Sequence, residues 1–267
     1  MTASERVELA RHPERPRCSE YIEAIFDDFI PLAGDRKAGE DKSIIGGIGF
    51  YRGLPVTVIG QRKGRNLEEN IEVRFGMPNP EGYRKAQRLM KQAEKFNRPV
   101  ITFVDTPGAY PGIEAENFGQ GEAIASSIAL MSGLKVPLIS IFIGEGGSGG
   151  ALALGVCDKM IMLENSIFSI LSPEGFASIL WKDSARSKEA CEIMKLTAGD
   201  LYSLGICDQI IREGSGAHLN KSAVFSRVDR AIGDALVQMR KKSGVQLARE
   251  RYRKLRKIGK DMRKETV

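Results

Sequence analysis

Residues 136–156 read VPLISIFIGEGGSGGALALGV. Val136–Gly144 has the unbroken Val/Ile/Leu/Phe character of a strand buried on both faces, and Gly150–Val156 reads as a short helix. Five glycines fall within the seven residues Gly144–Gly150, more than a tight turn needs, because each adds to the entropy lost on folding. A strand that passes into a helix through such a link leaves free backbone N–H groups at the helix start, where the dipole favours negative charge.

Similar apolar runs lie on either side. PVITFVD (99–105) leads through TPGAYPG to a predicted helix over 121–132, and KMIMLE (159–164) follows the glycine-rich link. Such runs alternating with helices argue for an α/β layer architecture. Upstream, residues 43–58 predict two strands joined by a turn at Arg52–Gly53. The polar stretch 61–82 is broken by Pro78 and Pro80, and Arg62, Lys63 and Arg65 read as a solvated charged turn. Tyr83, Ala86, Met90, Ala93 and Phe96 then mark a helix over 81–97. Downstream, helices are predicted over 173–181 and 187–196. Thr197 to Asp200 caps a short helix closing at Gly205, and 206–211 reads as a last strand. Residues 1–35 predict helix, with Tyr21, Ile22, Ile25, Phe26 and Phe29 on one face. The expected division is an N-terminal helical segment 1–42, an α/β body 43–233 and a basic helical tail 234–267.

The 267 residues are 42% hydrophobic and 28% charged, which excludes a mostly disordered chain. No window predicts a membrane-spanning helix, and the first residues carry no apolar leader, so a cytoplasmic protein is expected. Cys18, Cys157, Cys191 and Cys207 are widely spaced and read as reduced thiols. With only two histidines, His12 and His218, no zinc-type cluster can be assembled. Between Arg240 and Glu265, twelve Lys and Arg stand against three Asp and Glu, so the tail alone exceeds the chain's net charge of +6. A stripe of Ala248, Tyr252, Leu255, Gly259 and Met262 marks that tail as a docking or self-packed helix rather than a nucleic-acid surface.

The glycine-rich link admits three chemistries. Gly144, Gly146 and Gly149 match a dinucleotide fingerprint, with Glu164 at the end of the next strand. Gly146–Gly150 around Ser148 match a nucleophile elbow, with Asp208 and His218 following in hydrolase order. Backbone amides at Gly149, Gly150 and Ala151 would also form an oxyanion hole needing no side-chain acid or base. The residues alone leave all three open, beside a reading of pure turn geometry. Asp105 reads as a helix cap.

Four stretches, LARHPERPRCSEYIEAIFDDF (9–29), GMPNPEGYRKAQRLMKQAEKFNRPVITFVDTPGAYPG (76–112), IGEGGSGGALALGV (143–156) and SPEGFASILWKDS (172–184), resemble the alpha subunits of bacterial acetyl-CoA carboxylase carboxyltransferases. The resemblance implies a crotonase-type fold of stacked ββα units with helical N- and C-terminal extensions. It implies carboxyl transfer from carboxybiotin, borne by a biotin carboxyl carrier protein, to acetyl-CoA, giving malonyl-CoA in the first committed step of fatty acid biosynthesis. The implied partners are a beta subunit in an α2β2 heterotetramer and biotin carboxylase in the wider complex, with any zinc in the beta subunit and none here. Carried over by position, Gly149, Gly150 and Ala151 form the hole, Gly146 and Gly147 shape the link, and Gly108, Ala109, Tyr110, Ser172 and Gly175 line the cleft. The sequence departs from the family pattern at Gln61, Phe176 and Glu114–Phe118. The rival readings are a serine hydrolase at Ser148 and a noncatalytic scaffold subunit.

Overall fold

The computed structural model describes residues 1–260, so Met262 of the expected stripe lies outside the described residues. In chain order the elements are α1 (Ala3–Ala10), α2 (Cys18–Ile25), β1 (Asp27–Pro31), β2 (Ile44–Tyr51), β3 (Leu54–Gln61), α3 (Leu67–Glu72), α4 (Pro80–Lys95), β4 (Val100–Thr106), α5 (Ile113–Asn117), α6 (Gln120–Gly133) and β5 (Leu138–Gly147). They continue with α7 (Ser148–Gly155), β6 (Lys159–Leu163), β7 (Ile167–Ser169), α8 (Pro173–Trp181), α9 (Ser187–Ile193), α10 (Ala198–Ser203), β8 (Gln209–Ile211), α11 (Lys221–Met239) and α12 (Gly244–Lys257).

The strands form one sheet in the order β1-β2-β3-β4-β5-β6-β8, with β7 paired to the far end of β5. β1, β2 and β3 are antiparallel; from β3 to β8 the pairing is parallel. Gly60, Phe103, Ile141, Ile161 and Gln209 therefore stand in one row across five strands. Successive strand residues point to opposite faces, and the core divides accordingly. Val100, Val104, Leu138, Phe142 and Met162 join the buried cluster of α4, α6 and α7. Ile101, Phe103, Ile139, Ile141 and Ile161 join that of α2 and α11.

Three expectations need correction. The N-terminal 35 residues are not all helix: after Phe26 the chain turns extended as β1 pairs with β2 at the sheet edge, and Phe29 lies on β1, partly buried against the core. The division after Gly233 falls inside α11, whose buried stripe of Val228, Ala231, Ile232, Ala235 and Leu236 runs straight through it. In α12 the buried residues are Leu247 and Arg251, and of the expected stripe Leu255 packs partly buried against the core while Tyr252 is 64% exposed, so the contact face overlaps that stripe only in part. The Arg251 side chain, 0% exposed, pairs with Asp158 and donates to the carbonyls of Met131, Leu134 and Val136, closing the end of α6.

Candidate active site

Three adjacent parallel strands end side by side, and each brings one polar residue to the same corner: Gln61 from β3, Asp105 from β4 and Glu145 from β5. The β4–β5 register slips between Val104 and Thr106, where β5 carries extra residues. This bulge lets the Asp105 carboxylate accept the Glu145 N–H at 3.0 Å. Gly144 is needed there, because a Cβ would stand 2.3 Å from the Asp105 Oδ1 atom. Asp105 thus braces a strand and caps no helix, contrary to expectation.

Lys63 is the second correction. It is not a solvated turn residue: its side chain is only 11% exposed, and Nζ lies 2.7 Å from Asp105 and 2.8 Å from Glu145. Arg11 completes the cluster at 2.7 Å from Glu145 and 2.7 Å from Glu174 of α8. Burial would raise the Glu145 carboxyl, but Lys63 and Arg11 outweigh it and hold it below its ordinary value. Burial likewise opposes the Lys63 charge, and Asp105 and Glu145 overcome it and raise its pKa. The cations and carboxylates neutralise one another beneath the glycine-rich segment.

That segment is less loop than the sequence suggested. Glu145, Gly146 and Gly147 pair with β7, and α7 begins at Ser148. A helix leaves its first-turn amides without intrahelical acceptors, here those of Ser148, Gly149 and Gly150, with Ala151 next in line. Most of the glycines serve packing. A Cβ on Gly146 would meet the Phe142 ring at 2.6 Å, on Gly147 the Pro107 carbonyl oxygen at 2.0 Å, and on Gly150 the Ala109 nitrogen at 2.6 Å. Gly149 and Gly108 are different: beside Gly149 stands only an Ile124 methyl at 3.3 Å, and Gly108, at φ +154, has nothing within 4 Å. The structure therefore brings Gly108 and Ala109 against Gly150, and it leaves Gly108 and Gly149 half-buried.

The remaining predicted residues occupy the surroundings. Tyr110 is tied through its N–H to the Pro78 carbonyl, and its ring faces the Arg74 guanidinium at 5.7 Å. Ser172 caps α8 by accepting the Gly175 N–H at 3.1 Å, so both serve that helix start. Ser148 has the left-handed backbone of an elbow, φ +53. Its supposed partners are engaged elsewhere. His218 stacks on His12 at 3.9 Å between ring centroids, and Asp208 accepts the Met160 N–H and pairs with Lys254. Glu164, the dinucleotide candidate, accepts the N–H groups of Glu213 and Gly214. Among the described residues no cluster of His, Cys, Asp and Glu could hold a metal, and no helix is long and apolar enough to cross a membrane.

The sequence profile described as acetyl co-enzyme A carboxylase carboxyltransferase-like matches residues 1–259. Acetyl-coenzyme A carboxylase carboxyl transferase subunit alpha of Clostridium botulinum is 59% identical over 256 residues, 96% of this chain and 93% of its own length. The Clostridium acetobutylicum protein of the same name is 55% identical over 99% of this chain and 97% of its own length. Among solved structures, transcarboxylase 12S superposes with a TM-score of 0.69 at 20% identity, over 84% of this chain and 41% of the other. A Pseudomonas malonate decarboxylase hetero-dimer chain superposes with a TM-score of 0.65 at 18% identity, over 84% of this chain and 91% of the other. These likenesses bear out the expected crotonase-type α/β fold. The chain belongs to the acetyl-CoA carboxylase carboxyltransferase family, among its alpha subunits.

Proposed function

We propose that this chain is the carboxybiotin-holding half of a biotin-dependent carboxyltransferase. With a beta subunit, in an α2β2 assembly, it moves the carboxyl group borne by biotin on the carrier protein to acetyl-CoA, giving malonyl-CoA. The observation that carries this reading is the ledge at the start of α7, where the first-turn amides begin at half-buried glycines with Gly108 and Ala109 packed against Gly150. When bound, carboxybiotin supplies the carboxyl group and a ureido oxygen that takes up negative charge.

The amides of Gly149 and Gly150, with Ala151 behind them, donate to that oxygen, and the positive end of α7 adds to their field. Preorganised donors of this kind are worth on the order of 3–4 kcal/mol each. Gly108 and Ala109 form the facing wall and Tyr110 its rim. Gly146 and Gly147 let the walls close together. Ser172 and Gly175 hold the start of α8, whose Glu174 is anchored to Arg11. Because Lys63, Asp105 and Glu145 satisfy one another, the chain contributes donors and shape rather than a side-chain base.

Ile113, Phe118, Ile170, Ile179 and Leu180 are all more than half exposed, on segments that follow the cleft walls. Several large apolar side chains left exposed on segments next to a site fit a surface covered by another chain, here the beta subunit. The test is reconstitution: with a beta chain and biotinylated carrier, malonyl-CoA should form, and without the beta chain none should. Full turnover by this chain alone would overturn the proposal.

A further inference from the structure

We infer that Gln61 is a positioning residue for the amide donors at the start of α7, an inference that rests on the reading above. Gln61 ends β3 and is 0% exposed. Both ends of its amide serve the cleft walls. Nε2 donates to the Gly150 carbonyl at 2.8 Å, and Oε1 accepts the Asp105 N–H at 3.2 Å. One side chain thus ties the first turn of α7 to the end of β4. Among the described residues, it is the only side chain that hydrogen-bonds to the main chain of 148–151.

The need for such a tie follows from the residues it holds. Glycine is the least conformationally restrained residue, so two consecutive glycines hold the first turn of α7 less firmly than other residues would. The Gly150 carbonyl and the Ala151 N–H share one planar peptide and point in opposite directions, so gripping the carbonyl fixes the amide. Gripping it also fixes ψ at Gly150, whose N–H lies on the other side of the same Cα. A side-chain amide of this length supplies a donor for Gly150 and an acceptor for Asp105 at once, and does so at every pH.

This arrangement gives a test that a merely structural role would not pass. Gln61→Met keeps the bulk and loses both bonds. Gln61→Glu keeps the acceptor for Asp105, but its ionised form has no proton for Gly150. The charged and titratable groups around that carboxyl would be Asp105 on β4, Lys63 just after β3, Glu145 on β5 and Tyr83 on α4. Each variant is reconstituted with the beta chain and biotinylated carrier, and malonyl-CoA formation is followed across pH.

Gln61→Met should lower kcat about tenfold at every pH, with the KM for acetyl-CoA moving less than about twofold. Gln61→Glu should lose kcat at alkaline pH and recover towards the parent as the introduced carboxyl takes up a proton. Hydrogen–deuterium exchange in the assembled Gln61→Met complex should quicken at residues 148–151. Parental kcat in both variants would overturn the inference, as would a loss in Gln61→Glu that ignores pH and tracks its melting temperature. Gly149→Ala is assayed alongside. If it loses turnover while both Gln61 variants keep theirs, only the role of Gln61 falls; if it too is silent, the reading of the ledge falls with it.

Discussion

Glycines that look alike in sequence separate by what stands next to them. Gly150 has backbone within 3 Å of its absent Cβ and Gly149 has only a methyl group. Gly149→Ala should therefore melt within a few degrees of the parent while turnover drops roughly a hundredfold, as expected for a blocked donor. Gly150→Ala should lose both stability and turnover, because the Ala109 main chain must move. At Ser148, with φ +53, replacement by glycine exchanges left-handed strain for chain entropy. It should change stability by less than about 1 kcal/mol and leave turnover intact. Labelling of Ser148 by a fluorophosphonate would revive the hydrolase reading. Glu145 carries a pH prediction. Its folded pKa lies below the ordinary 4.5, so its contribution to stability is complete above that value and lost as pH falls through the folded value. Urea unfolding of Glu145→Gln should show a shallower acid limb than the parent. None of this cluster was legible in sequence: Lys63 and Glu145 are 82 positions apart, and only the parallel register of β3, β4 and β5 brings them together.

Elements with a strong period were legible. The β2–β3 hairpin, α4, β4, α6, β6 and α8 lie where apolar spacing and the Ser172–Pro173 start place them. β1 and β7 were not. β1 is mostly exposed and β7 has only three residues, and both exist through partners, β2 and the far end of β5. α3 hid in a polar stretch because it buries no residue. α12 misled for a physical reason: its most deeply buried side chain is an arginine, which a hydrophobic stripe cannot register. Arg251→Met should cost about 3–5 kcal/mol in urea unfolding, since Asp158 and three main-chain carbonyls lose a buried partner. A cost below about 1 kcal/mol would mean that α12 is only loosely attached.

For the whole molecule, the proposed assembly places a second chain over the exposed apolar side chains of the segments that follow the ledge. Ile170→Asp, on the segment just beyond β7, should weaken co-purification of the beta chain while leaving the melting temperature of the isolated chain nearly unchanged, because Ile170 is 77% exposed. Unaltered co-purification would place the contact elsewhere. The crotonase-type architecture could be anticipated from long matching stretches of sequence, whereas the sheet order and the packing of both chain ends onto it are three-dimensional facts.

Two arginines near opposite ends of the chain reach into its middle. Arg15 is paired with Glu213 and donates to the Ile143 carbonyl, and Arg251 closes the end of α6. During synthesis on the ribosome every strand emerges before Arg251 does. Until α12 leaves the exit tunnel, the carbonyls at the end of α6 therefore have water rather than Arg251 as their partner. A stalled or prematurely terminated product lacking α12 would expose a frayed helix end, a natural handle for chaperones and proteases that the finished chain conceals.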